Sequence, residues 1–183
     1  MSFKIDTFVS HLKQGGALGS LFECSVQGAK GSGATNTISE FKFMCKGAVL
    51  PASTIEAGTV TYMGRALQIP GNRAAQTLST DVYNDEGMEI RNNIESWMDM
   101  INSHKSNRRA PNMTGIGSYT GSLKVHQLSK ADIGPVKSYE FIDAWPSACA
   151  EIPLSWETNE IQTFAVTWEY NYWKSTESGT GTT

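Results

Sequence analysis

Histidine and cysteine are both scarce in this sequence, at three residues each. His11, His104 and His126 lie far apart and outside any H-E-x-x-H or G-x-S-x-G pattern, so no hydrolase centre is legible. Cys24, Cys45 and Cys149 form no C-x-x-C, and an odd count without ligand spacing predicts reduced thiols in a protein made in the cytoplasm. Long apolar runs are missing too. Nothing approaches the roughly 18 residues of a membrane helix, and the opening "MSFKIDTFVSHLKQGG" has no signal-peptide core. Neither a membrane anchor nor a secreted precursor is expected. Cations are in no excess: 15 Lys and Arg against 18 Asp and Glu leave a formal charge of −3, which gives polyanions no general attraction.

What is present is the composition of one ordinary globular domain: 183 residues, 39% hydrophobic and 18% charged. That domain is expected over residues 1–173, with an N-terminal arm over about 1–17 and a polar tail, "KSTESGTGTT", over 174–183. The tail cannot bury apolar surface and is expected to order only on a partner.

Ile5, Phe8, Val9 and Leu12 are spaced as one helical face, and Gly15 and Gly16 supply a stop. Strand patterning is read at about 18–26, then a connector "GAKGSGATN", then a strand over 38–49 in which Phe41 and Phe43 alternate with Lys42 and Met44. Beyond Pro51, a β-branched stretch punctuated by Gly58, Gly64 and Gly71 predicts a long hairpin. Residues 75–83 alternate again. The one convincing helix is "NDEGMEIRNNIESWMDMI", with Asn84 or Asp85 as cap and Ile90, Ile94, Trp97, Met98 and Ile101 on one stripe. That stripe predicts core packing rather than a cofactor site. Residues 102–119 form a polar loop carrying Lys105, Arg108 and Arg109, and strands are expected at about 120–128, 136–145, 149–155 and 159–173. Some eight strands and one helix, without βα alternation, predict a mainly β fold: an antiparallel sandwich or barrel with one packed helix.

No enzyme emerges, and no cofactor or metal motif. "GAKGSG" lacks the G-K-[ST] ending of a phosphate loop, and carboxylates at 84–86 suit a helix N-terminus without catalysis. Arg108 and Arg109, without interleaved aromatics, read as a solvated or intersubunit loop before they read as a nucleic-acid contact. In "NEIQTFAVTWEYNYW", Phe164, Val166, Trp168, Tyr170 and Tyr172 share one strand face and polar residues the other. The aromatic face reads as core, with a sugar- or base-stacking platform as the alternative.

Four stretches in register carry a family resemblance: "FKFMCKGAVLPAS" (41–53), "MGRALQIPGNR" (63–73), "YNDEGMEIRNNIESW" (83–97) and "IPLSWETNEIQTFAVTWEYNYW" (152–173). Together they resemble the tail tube proteins of contractile-tailed, myovirus-type bacteriophages, over most of the chain from Leu18 to Trp173. The resemblance implies an antiparallel β-barrel or sandwich flanked by a helix, closing into six-membered rings that stack into the inner tail tube. It further implies virion localisation, assembly in the host cytoplasm, contacts with sheath, baseplate and tail terminator proteins, and transient passage of double-stranded DNA. It assigns inter-ring contacts to Leu50, Pro51, Ala52, Ser53, Thr54, Ile55 and Glu56, and across the hairpin to Val60, Tyr62, Met63, Arg65, Leu67 and Gln68. The sequence departs from the family in "GAKGSGATN", in the glycine-rich 113–121 region and in its C-terminal tail.

A ring that joins sheet edges between neighbours uses up exposed edge strands. A conduit for DNA is served by a polar lining with few cations. Thr163, Thr167, Glu169 and Asn171 are the candidate lumen face, the alternative being a face covered by the helix or open to solvent. Two other functions stay open at this level. One is the tube of a related contractile injection or secretion system with protein cargo. The other is a monomeric β-sandwich module that binds carbohydrate through its aromatics.

Overall fold

The computed structural model describes residues 5–12, 16–29, 37–74, 76–157 and 159–177. Most of the "GAKGSGATN" connector and the last residues of the tail lie outside them. The helices are α1 (Ile5–His11), α2 (Phe41–Met44), α3 (Glu89–Ile101) and α4 (Ile116–Tyr119). The strands are β1 (Phe22–Gln27), β2 (Thr37–Ile38), β3 (Cys45–Ala48), β4 (Ile55–Tyr62) and β5 (Arg65–Arg73). Then come β6 (Leu78–Tyr83), β7 (Gly121–Leu128), β8 (Pro135–Cys149), β9 (Thr163–Glu169) and β10 (Tyr172–Glu177).

Every strand pairing is antiparallel. Eight strands form one sheet in the order β2-β1-β7-β8-β9-β6-β3, with β10 also on β8, and β4-β5 form a separate hairpin. Among the described residues the two ends of that order, β2 and β3, are not hydrogen-bonded to one another, so the sheet they form is not a closed barrel.

Strand β8 organises the sheet. The expected strands at 136–145 and 149–155 are instead this single 15-residue strand followed by an irregular connection. Along one side β8 pairs with β7; along the other it pairs first with β10 and then with β9. The register shifts near Asp143, which takes a left-handed φ of 55° and forms a bulge that redirects the strand without ending it. Opposite that bulge, the strand expected over 159–173 is interrupted at Tyr170 and Asn171. Asn171 donates its backbone N–H to Ile142 O (3.1 Å) and its Nδ2 to Asp143 Oδ2 (3.0 Å). The ladder then resumes as β10 and runs past Trp173 into the polar tail as far as Glu177.

The expected strand over 38–49 is also broken, by the helical turn α2. In a strand Phe41 and Phe43 would share a face. The turn sends Phe41 into the core, edge-on to Trp168 at 6.1 Å, and leaves Phe43 80% exposed. Because α2 lies against both β1 and β6, Phe41 fills the space between the two halves of the sheet.

The main helix begins later than its sequence suggests. Asn84 prolongs the β6–β9 ladder: its N–H donates to Gln162 O (2.9 Å) and its Nδ2 to Gln162 Oε1 (3.1 Å). Helix α3 therefore starts at Glu89, after Met88 in a left-handed conformation (φ 53°), while Asp85 Oδ1 accepts from Glu89 N–H at 3.3 Å. Ile90, Ile94 and Trp97 are buried, and Met98 and Ile101 pack at the edge of the same core. Trp97 donates Nε1–H to Tyr119 O (2.8 Å) and meets Trp168 at 5.8 Å.

The 102–119 loop is more structured than its composition suggests. Met113 is fully buried, Ala110 N–H donates to Met100 O (3.1 Å), and the Arg109 guanidinium stacks 4.2 Å above the Tyr119 ring.

Candidate assembly interface

The β4–β5 hairpin stands apart from the core. Its turn, Met63–Gly64, has positive φ at both residues (47° and 77°), the geometry whose twist matches a two-residue hairpin. Glycine is required again at Gly71, where a Cβ would lie 2.9 Å from Glu56 O beside the bulge between Ile55 and Ala57. The base is tied by Arg73 Nη1 to Ser53 Oγ (2.6 Å), Ala74 N–H to Thr54 O (3.0 Å) and Gln76 Nε2 to Thr54 Oγ1 (3.2 Å).

Register divides the hairpin into two faces. Val60 opposes Leu67, Tyr62 opposes Arg65 and Gly58 opposes Ile69, so Val60, Tyr62, Leu67 and Ile69 share one face with Arg65. The other face holds Thr59, Thr61, Ala66 and Gln68, with Thr59 Oγ1 donating to Gln68 Oε1 at 3.1 Å. Nothing among the described residues covers the apolar face: every residue from Ile55 to Arg73 is exposed, as are Leu50, Ala52, Ser53 and Thr54, with Pro51 half-buried. An isolated two-stranded hairpin is marginal in water, and an uncovered apolar patch of this kind marks an interaction surface.

The closing stretch divides differently from its pattern. Phe164, Val166 and Trp168 are buried, and Tyr170 is half-buried, edge-on to Phe141 at 4.9 Å. Along β9 the aromatic face is therefore core, whereas Tyr172, at the start of β10, is 49% exposed. On the opposite face of β9, Thr163, Thr167 and Glu169 are half-buried. Thr167 lies opposite Ser79, and Thr163 opposite Tyr83. Asn171 does not share that face; it sits in the interruption before β10 with its side chain held by Asp143. Lys46 lies 5.5 Å from the Tyr83 ring.

One surface has no counterpart in the sequence expectations. The connection between β8 and β9 exposes Leu154, Trp156 and Ile161 almost completely. The sequence reads most of this stretch, 149–155 and 159–162, as strand; the structure makes it an irregular connection instead, so Leu154 and Ile161 leave the sheet.

Among the described residues no group of three His, Cys, Asp or Glu is placed to hold a metal ion. The three cysteines are free. Cys24, buried on β1, is hydrogen-bonded to Cys45 at the start of β3. That bond and burial push the Cys24 thiol up, while the same hydrogen bond holds Cys45 below the usual thiol range. No described helix is long and apolar enough to cross a membrane.

Comparison with known proteins converges on one group. The family described as "Phage tail tube protein" matches residues 17–176. The tail tube protein gp19 of Enterobacteria phage T4 is 32% identical over 137 residues, covering 73% of this chain and 81% of the relative; its counterpart in phage T6 matches equally. The fold is shared with a chain of an extracellular contractile injection system, the PVC sheath–tube complex in its extended state. There the TM-score is 0.63 at 12% identity, covering 97% of this chain and 100% of that one. It is shared also with the SPP1 tail tube, at TM-score 0.51 and 12% identity over 88% of this chain and 80% of that one. With a mainly antiparallel β architecture, an uncovered hairpin and 32% identity to curated tail tubes, the chain belongs to the phage tail tube protein family, of the contractile-tailed type.

Proposed function

We propose that this chain closes into six-membered rings that stack into the inner tube of a contractile phage tail and conduct double-stranded DNA. It is a structural component of the virion, assembled in the host cytoplasm, with sheath, baseplate and tail terminator proteins as partners. The observation that carries the reading is the hairpin: an apolar face with Tyr62 71% exposed and Leu67 61% exposed makes sense only when another molecule covers it. Ring closure is supported by the open ends of the sheet, because β2, β3 and β10 each pair on one side only among the described residues. A lumen lined by the outer face of β9 is supported by its composition. Thr163, Thr167, Glu169, Ser79 and Asp81 offer hydroxyls and carboxylates, which give phosphates no counterion-release gain.

A tube with protein cargo would use the same fold, and the likeness to the injection-system chain bears on fold alone. The DNA reading rests on the phage relatives at 32% identity. Electron microscopy of the purified full chain tests the proposal. Hollow stacked rings with sixfold class averages are expected; a chain that stays monomeric at every concentration overturns it.

A further inference from the structure

The hairpin and the 150–162 connection lie at opposite ends of one sheet. Strand β6 leaves the hairpin at Leu78 and ends at Tyr83, while β9 returns antiparallel, with Tyr83 opposite Thr163 and Leu78 opposite Trp168. The hydrogen bond from Asn84 N–H to Gln162 O brings the connection to the far end of β6. At about 3.4 Å per residue that is roughly 17 Å from the hairpin base.

Both ends carry apolar surface that no described residue covers. Leu154 is 80% exposed, Ile161 is 72% exposed and Trp156 is fully exposed. They rim an open cleft of about 430 Å³, which Glu160 also lines. The charges match as well. The connection carries Glu151, Glu157 and Glu160 and no Lys or Arg, whereas the apolar face of the hairpin carries Arg65 beside Tyr62.

We propose that this cleft receives the hairpin of a second copy of this chain in the adjacent ring. Tyr62 and Leu67 pack against Leu154, Trp156 and Ile161, and Arg65 faces Glu160. The inference rests on the stacked-ring reading and adds the receiving surface to it. Two different surfaces at opposite ends of one subunit form a heterologous contact that cannot close on itself, so each ring offers the next the same pair of surfaces and the stack stays open-ended. A fully exposed tryptophan beside aliphatic side chains has the character of an interface anchor, with the acidic residues as a polar rim.

The test uses the full-length chain, with electron microscopy for tube length and size-exclusion chromatography for rings. Trp156→Ser and Glu160→Arg each should leave rings of wild-type size and shorten tubes by about tenfold or more. Unchanged melting is expected for both, since neither side chain is buried. Combining Arg65→Glu with Glu160→Arg should lengthen tubes again relative to either single change. Wild-type tube lengths in both Trp156→Ser and Glu160→Arg overturn the receiving-surface assignment while the ring reading stands. A double variant no longer than the singles overturns the Arg65–Glu160 pairing. A wild-type chain that forms no rings overturns the ring reading, and this inference with it.

Discussion

The indole Nε1–H of Trp168 donates to the hydroxyl of Thr80 at 2.9 Å, and both side chains are fully buried. Thr80 in turn directs Oγ1 toward Val166 O at 3.5 Å, so the core between β6 and β9 contains a short polar chain. Around it, Trp168 meets Phe41 and Trp97. Strand β9, helix α3 and helix α2 thus converge on one indole whose single donor has one partner.

Thr80→Val keeps the shape and removes the acceptor, leaving that buried donor unsatisfied. A loss of about 1–3 kcal/mol is expected. Thr80→Ser keeps the hydrogen bond and gives up one buried methyl, at about 1 kcal/mol. Urea unfolding of the unassembled chain, followed by tryptophan fluorescence, measures both. Equal stability of Thr80→Val and wild type would sink the assignment.

At Gly121 a Cβ would run into the backbone of Gln27 and lie 2.9 Å from Trp97 Cη2. Here β7 begins beneath the helix, and the helix can approach only because no side chain intervenes. Gly121→Ala should cost about 2 kcal/mol or more through forced separation of β1, β7 and α3. A melting temperature within a degree of wild type contradicts this.

The hairpin turn makes its own prediction. Gly64→Val places a β-branched residue at a φ of 77° and should raise the protein concentration needed for tube assembly several-fold, at about 1–2 kcal/mol of strain. Met63→Asn suits its left-handed conformation and should leave that concentration unchanged or lower it. Sedimentation of tubes across a dilution series reads both, and a reversed order of the two variants refutes the turn assignment.

Lysine at Ser79 and Thr167, which face one another away from the cleft at the Thr163 end of β9, adds two cations to the proposed lumen. Tubes should assemble normally, and DNA release from reconstituted particles should slow and become more salt-dependent. Release kinetics indistinguishable from wild type would place β9 elsewhere than the lumen.

Cys45 should be the first thiol alkylated in the unassembled protein. Its neighbour Cys24 stabilises the thiolate by hydrogen bonding, and Cys24 itself is buried. Cys24→Ala should slow labelling of Cys45 and shift its pH profile upward. Mass spectrometry of timed iodoacetamide reactions would show the opposite order if the assignment failed.

Local patterning reached as far as interactions that are themselves local. Alternation over Phe164, Val166 and Trp168 marks a buried face, because strand period and burial both follow from backbone geometry, while over residues 75–83 it marks a strand whose buried side, Leu78, Thr80 and Val82, the structure supplies. The hairpin was legible from glycine spacing, since positive φ at Gly64 and close approach at Gly71 are demands on single residues. The helical stripe from Ile90 to Ile101 was legible for the same reason.

What failed depended on partners distant in sequence. Of the two candidate caps, Asn84 is held in the ladder by Gln162, 78 residues away, which delays the helix to Glu89, while Asp85 accepts from the Glu89 N–H. The long closing strand is interrupted because Asp143 bulges opposite it, and the run "FKFM" turns helical because Phe41 has a slot against Trp168.

The sequence alone therefore determined the fold class, the hairpin and the family, all written in backbone preference, side-chain period and residue identity. Only the tertiary structure decided that the sheet stays open, that Asn171 leaves the face of β9, and that the hairpin and the Trp156 connection stand at opposite ends of one sheet. Those depend on which strands lie side by side, and packing between residues dozens of positions apart decides that.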